Sequence, residues 1–281
     1  MFETVVFSAG GTLGASYIGA FRALELRHAV SKVRHYHGTS AGSVVALMAA
    51  CGLTSAEMIG VMHTMCAARP DFCAFDPTRF GVASVRDVLK PGLDAFLAPN
   101  ATFACLAKRS GVTLTVHAYN VSRGRLEDFG ISTTPDADVR ACVEASCCIP
   151  FVFAPVSIGG DMYVDGAVAQ RSPIHAVSDR RRSVVFDVCR DHRPPSTLFE
   201  FISVLTSAAS RHVGPYEGLI VRISAAADSP DVIDLPLEPD RLQVLVDAGF
   251  ETADACIQGH AKVIAYGVQD GEGDEERDAR D

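Results

Sequence analysis

The chain is 281 residues long, 48% hydrophobic, and carries a formal charge of −9. That length and apolar content suffice for one large α/β domain or two small ones. The acidic balance argues against nucleic acid and against simple electrostatic capture by anionic lipid, because no basic stripe exists to neutralise phosphates.

Nine cysteines without regular spacing, Cys147 and Cys148 adjacent and no C-x-x-C pair, suit neither a disulfide framework nor a zinc knuckle. They read as reduced, buried thiols of a reducing compartment. The first residues lack a basic region and a cleavage site and read as a strand rather than a signal peptide. The longest apolar run, Val44 to Leu53, is too short to span a bilayer. Arg180-Arg181-Arg182 reads as a solvated loop.

In chain order, Thr4 to Phe7 is a β-branched and aromatic run, a buried strand. It leads into Ser8-Ala9-Gly10-Gly11-Thr12-Leu13-Gly14 and then a helical pattern from Ala15 to Leu26. Strand, glycine loop and helix can gather bare N–H groups around an anion; a tight βα turn without ligand fits equally. A dinucleotide site would need glycine where Ala9 stands, and no Gly-Lys-Ser/Thr follows for a Walker loop. Val33 to Tyr36 reads as a strand and Ser43 to Cys51 as a buried helix, with His37-Gly38-Thr39-Ser40-Ala41-Gly42 between them. Gly-x-Ser-x-Gly between strand and helix is the nucleophile-elbow pattern. The turn strains Ser40, Gly38 and Gly42 supply room, and the helix N-terminus favours a developing negative charge there.

Thr54 to Ala68 reads as a helix capped by Thr54 or Ser55. Pro70 to Pro99 is irregular, with a short helix around Ser84 to Leu89, and could form a lid or a mere surface excursion. Phe72, Phe75 and Phe80 are candidates for apolar contact with an interface. A helix (Ala101 to Ser110), two strands (Val112 to Asn120, Leu126 to Phe129) and a small-residue helix (Asp138 to Ser146) follow. Then comes Ser146-Cys147-Cys148-Ile149-Pro150-Phe151-Val152-Phe153-Ala154-Pro155, running on to a strand end at Tyr163-Val164 and the turn Asp165-Gly166-Ala167. Pro173-Ile174 begins another helix, Ser183 to Val188 is a strand, Thr197 to Arg211 a helix, Leu219 to Ile223 a strand and Arg241 to Ala261 a long helix. From Asp270 the composition is that of a disordered acidic tail.

A serine hydroxyl needs a base, and its tetrahedral oxyanion needs backbone donors. Gly10-Gly11 and the Ala41 N–H can donate, and Asp165 at a strand end is the candidate base. The usual hydrolase order would instead recruit a later histidine, His175, His192, His212 or His260, each more simply read as a surface or core residue; His37 beside the elbow reads as packing.

From Val5 to about Ala265 these residues resemble the patatin-like phospholipases. The resemblance rests on the glycine loop, on Gly38-Thr39-Ser40-Ala41-Gly42, and on the Ser/Cys-x-Ile-Pro-Phe-x-Phe-x-Pro segment ending in Asp165-Gly166-Ala167. It implies an α/β fold of three layers, a mostly parallel central sheet with helices on both faces, related to the α/β hydrolases. The domain would cover residues 1–268, followed by the tail at 269–281. It implies Ser40 as nucleophile, Asp165 as its partner in a dyad, and Ala9, Gly10, Gly11 and Ala41 as oxyanion donors. Gly38 and Gly42 would form the elbow, and Gly166 and Ala167 the turn at the base. The implied activity is hydrolysis of lipid esters through an acyl-enzyme, without metal or organic cofactor. The implied partners are a lipid or phospholipid substrate and a transient membrane surface, with a cytoplasmic location, peripheral at membranes or lipid droplets. Two positions depart from the family's loop, which usually has three glycines, one residue, then Arg or Lys: Ala9 replaces the first glycine and Leu13 the basic residue. The alternative is a catalytically weak lipid-binding or regulatory protein on the same scaffold.

Overall fold

A computed structural model describes residues 2–68, 80–190, 194–195, 201, 204, 216–225 and 236–269. The expected helix at Thr197 to Arg211, the tail from Asp270, His192, His212, Phe72 and Phe75 fall wholly or largely outside the described residues.

Five parallel strands form the centre of the sheet in the order β3 (Thr113–Asn120), β2 (His35–Thr39), β1 (Thr4–Phe7), β7 (Ser183–Arg190) and β8 (Leu219–Ala225). All four residues of β1 are buried, as a central parallel strand with both faces covered requires. Val5 and Phe7 enter the main core with α1 (Ser16–Leu26), α2 (Ala41–Ala50) and α7 (Pro239–Gln269), while Val6 turns to the opposite face and packs with Val185, Ile174 and Val177. The result is an α/β fold with a central sheet flanked by helices. Among the described residues no helix is long and apolar enough to cross a membrane.

The far side of β3 decides where the site lies. One edge of β3 pairs antiparallel with β4 (Arg125–Gly130). Its other edge is shared: β2 runs along Thr113 to His117, and β6 (Asp161–Asp165) runs antiparallel along Ala118 to Asn120. Strands β2 and β6 therefore approach each other head-on, one ending at Thr39 opposite His117, the other at Asp165 opposite Ala118. β6 reaches this position through a hairpin with β5 (Val156–Ile158), whose turn residues Gly159 and Gly160 have φ of 61° and 89°. Two successive positive φ angles make the tight hairpin turn that glycine pairs favour.

Local signals explain most boundaries. The helix α3 (Ser55–Cys66) starts at a capping box in which Thr54 and Glu57 satisfy each other's backbone donors. Thr102 caps α5 (Phe103–Ser110), which stops at Gly111 with φ 72°. Asp138 caps α6 (Val139–Ser146). Two expectations need correction. Strand β2 and helix α2 close up on Ser40, because pairing with β1 and β3 on both sides carries the strand to Thr39. The chain after Pro173 makes only a 3-10 turn, Ile174–Ala176, instead of a helix. Pro173 has ψ 47° and Val177 is extended, which lets Ile174 and Val177 pack on the sheet before the chain enters β7.

Candidate active site

Ser40 is the single residue between β2 and α2 and has φ 55° and ψ −134°. Such a conformation costs a non-glycine residue about 1–3 kcal/mol, so neighbours must hold it. The Ser40 N–H donates to Ser146 Oγ at 2.8 Å, and Ser146 Oγ donates to the His117 carbonyl at 2.7 Å. The Ser40 carbonyl accepts from Ser43 N–H at 2.7 Å and from Ser43 Oγ at 2.6 Å. Close approach makes glycine necessary on both sides. A Cβ at Gly42 would sit 2.3 Å from the Phe7 carbonyl oxygen, and one at Gly38 would sit 2.4 Å from Ser43 Cα.

The β2–β3–β6 arrangement brings Asp165 to this elbow. Gly38 faces α2, and in register Ala118 and Asp165 share that face. The Ser40 side chain lies beside the Asp165 carboxyl and favours its ionised form, and Asp165 Oδ1 accepts the Ala167 N–H at 2.8 Å. Gly166 begins the 3-10 turn Gly166–Val168 directly after it. Burial pushes the Asp165 carboxyl up to about 6; the neighbouring Ser40 side chain, the Ala167 N–H and the charge of Arg171 hold it from rising further. A carboxylate so placed is a stronger base than one in water.

A raised carboxyl pKa predicts a pH signature. Between the unfolded value near 3.8 and the folded value near 6, the native state binds the extra proton. Stability is therefore highest below the unfolded pKa and falls as pH rises through the folded one. Asp165→Asn removes this charge. The variant should be more stable than wild type above pH 6.5, by on the order of 1–3 kcal/mol, with the gain vanishing near pH 3.5. Thermal melts of both proteins from pH 3.5 to 8 check this; a constant difference across the range contradicts it.

The glycine loop is a 3-10 turn, Gly11–Ala15, at the end of β1. Here one expected donor is corrected. The Ala9 N–H donates to the Arg171 carbonyl at 2.9 Å and is occupied, so the candidates in the loop reduce to Gly10 and Gly11. Ala41, at the first turn of α2, keeps its place beside Ser40. Leu13 is buried in the core, consistent with an apolar side chain where a cation was expected.

Ser40, Ala41, Gly11 and Thr12 form one end of a pocket of about 110 Å³ whose other walls include Val44, Met62, Met65, Val85, Leu89 and Phe153. Its walls are overwhelmingly apolar. Part of the region considered as a lid, the helix α4 (Val85–Leu93), lines the pocket. Phe80 is half exposed.

Among the described residues, the later histidines contact groups other than Ser40. His175 Nε2 lies 3.3 Å from Asp128, and His260 stacks on Phe2. His117 Nδ1 lies 2.7 Å from Asp128, and its ring stacks on that of His37, which burial and the neighbouring imidazoles hold neutral down to about 3. His117, Asp128 and His175 have metal-ligand chemistry within 4.8 Å of one another. His117 is directed, like Thr39 beside it in register, to the face of the sheet away from α2. Ser146, Tyr17 and Arg171 were not singled out from the sequence. Only Ser146 carried a signal, its place in the small-residue run before Ile149-Pro150.

The model of the family described as patatin-like phospholipase matches residues 5–178, more than half of the chain. The "Probable lipid hydrolase 463L" of Invertebrate iridescent virus 6 is 25% identical over 182 residues, covering 62% of this chain and 62% of that protein. Over a third of that relative's length is therefore outside the match. VipD of Legionella pneumophila shares the fold with a TM-score of 0.59 at 15% identity, over 92% of this chain and 67% of its own. Human GIVD cytosolic phospholipase A2, solved with methyl gamma-linolenyl fluorophosphonate, does so with a TM-score of 0.52 at 12% identity, over 90% of this chain and 58% of its own.

Proposed function

We propose, for a chain that belongs to the patatin-like phospholipase family, that it is a serine hydrolase of lipid esters working through a Ser40–Asp165 dyad. The observation that carries the reading is a strained serine that lines an apolar pocket beside a buried carboxylate.

The acyl chain occupies the apolar pocket, with the ester carbonyl beside Ser40. Ser40 Oγ attacks the carbonyl carbon while its proton passes to Asp165. The oxyanion is held by the N–H groups of Gly10, Gly11 and Ala41. The C–O bond to the leaving alcohol breaks, and that oxygen takes the proton from Asp165. Water then attacks the acyl-Ser40 ester, again giving its proton to Asp165. The tetrahedral adduct collapses, and Ser40 Oγ recovers the proton as the fatty acid leaves. No step draws on His37, His117 or His175.

A fluorophosphonate with an alkyl chain tests the reading on the purified protein. Covalent label on Ser40, together with turnover in a panel of phospholipids, lysophospholipids and acylglycerols, supports it and identifies the substrate. A folded protein that binds lipid but takes no label is instead a lipid-binding or regulatory member of the family. Because Asp165 must be ionised to accept the proton, kcat/KM should rise with pH through about 6 and level off above it. A profile flat from pH 4.5 to 8 contradicts the aspartate as base.

A further inference from the structure

Arg171, six residues beyond the proposed base, grips the glycine loop at Ala9 from two sides. Its backbone carbonyl accepts the Ala9 N–H at 2.9 Å. Its Nη2 donates to the Ala9 carbonyl at 3.0 Å and to the Val188 carbonyl at 2.7 Å, with Asp187 Oδ1 at 3.3 Å. The fully buried Tyr17 completes the grip: its hydroxyl donates to the same Ala9 carbonyl at 3.3 Å and accepts the Val188 N–H at 3.1 Å. The neighbouring Ser8 and Ser172 hydroxyls bond each other at 2.6 Å. The two chain segments are thus laced together over consecutive residues.

Peptide planarity turns this grip into catalytic geometry. In a trans peptide the N–H points opposite to the preceding C=O. Fixing the Ala9 carbonyl toward Arg171 and Tyr17 fixes the Gly10 N–H in the reverse direction, away from β7. On that other side of the loop, Gly11, Thr12, Ser40 and Ala41 line the pocket. A Cβ at Gly10 would lie 2.8 Å from Val188 Cγ1, so the loop is seated tightly against the strand that Arg171 holds.

We infer that Arg171 is a positioning residue of the oxyanion site, holding the Ala9–Gly10 peptide so that the Gly10 N–H faces the substrate carbonyl oxygen. The inference rests on the serine-hydrolase reading above. It gives the loop a cation delivered from outside it, at a chain where position 13 is leucine. The guanidinium bonds the loop rather than Ser40, and beyond the effect of its charge on Asp165 it acts through the peptide it orients.

The test measures kcat, KM and the affinity of a trifluoromethyl ketone, whose adduct with Ser40 carries the oxyanion, in Arg171→Met, Arg171→Lys and Tyr17→Phe. A non-hydrolysable ether analogue reports ground-state binding. In Arg171→Met, kcat and ketone affinity should both fall about 10- to 100-fold, while KM and ether affinity stay within about twofold. Arg171→Lys should recover part of the loss, and Tyr17→Phe should show a smaller loss of the same kind. Melting curves identify any variant that fails to fold, and the remaining two then decide. Folded variants with lowered melting temperature but unchanged kcat and ketone affinity overturn the inference and leave the dyad standing. A wild-type protein that takes no fluorophosphonate on Ser40 overturns the hydrolase reading and, with it, this role for Arg171.

Discussion

Ser40→Ala is expected to reduce ester turnover on the order of 10⁴-fold or more and to abolish fluorophosphonate labelling, because it removes the hydroxyl that stands on the strained elbow beside Asp165. Asp165→Asn should come close to the same loss. The amide can still accept the Ala167 N–H, so the turn survives, but it cannot take the Ser40 proton. The double variant should be hardly worse than either single one, since the two groups act as a unit. The stability readout separates this from misfolding: Asp165→Asn should lose turnover while gaining stability above pH 6.5, relieved of a buried charge that the native fold holds at a raised pKa. Steady-state kinetics and melts on the same preparations give both numbers. Near-normal turnover in either single variant removes the dyad.

Gly42→Ala should be the most damaging single-methyl change in the elbow. The added Cβ would meet the carbonyl oxygens of Phe7 and Ser8 at 2.3 and 2.4 Å. Both belong to the backbone at the end of a buried central strand and cannot move aside as a side chain could. Separating α2 from β1 to relieve the clash displaces Ser40 from Asp165 and the glycine loop. We expect a loss of about 3 kcal/mol in stability and on the order of 100-fold in turnover. Gly60 in α3 is the control, because a Cβ there meets nothing within 4 Å. Gly60→Ala should leave activity intact and raise stability by up to about 1 kcal/mol. Denaturant melts with turnover assays compare the two, and equal tolerance at both positions contradicts the packing argument.

These expectations also mark how far local sequence carries. Thr54 with Glu57 and Asp138 are cap signals whose partners lie three residues away, so the helices they start were readable from the chain alone. The same holds for β1, whose unbroken apolar run can only be a strand buried on both faces. Gly-x-Ser-x-Gly announced the elbow because steric demands on one tight turn are local. The 3-10 turn after Pro173 was misread as a helix because Ile174 and Val177 are recruited by Val6 and Val185, residues remote in the chain.

The chemistry of the candidate site was therefore legible residue by residue: a serine on a strained turn, an aspartate at a strand end, small residues ready to donate N–H groups. Their assembly was not. Asp165 reaches Ser40 because β2 and β6, segments over a hundred residues apart, meet end to end along one edge of β3, an arrangement that leaves no periodic trace in either. Ala9 lost its expected role for the same reason. Whether a backbone N–H is available is decided by what packs against it, and only the folded chain sets Arg171 and Tyr17 there. Side-chain chemistry and local conformation are written in neighbouring residues, whereas donor availability, burial and the pKa they produce belong to contacts between distant ones.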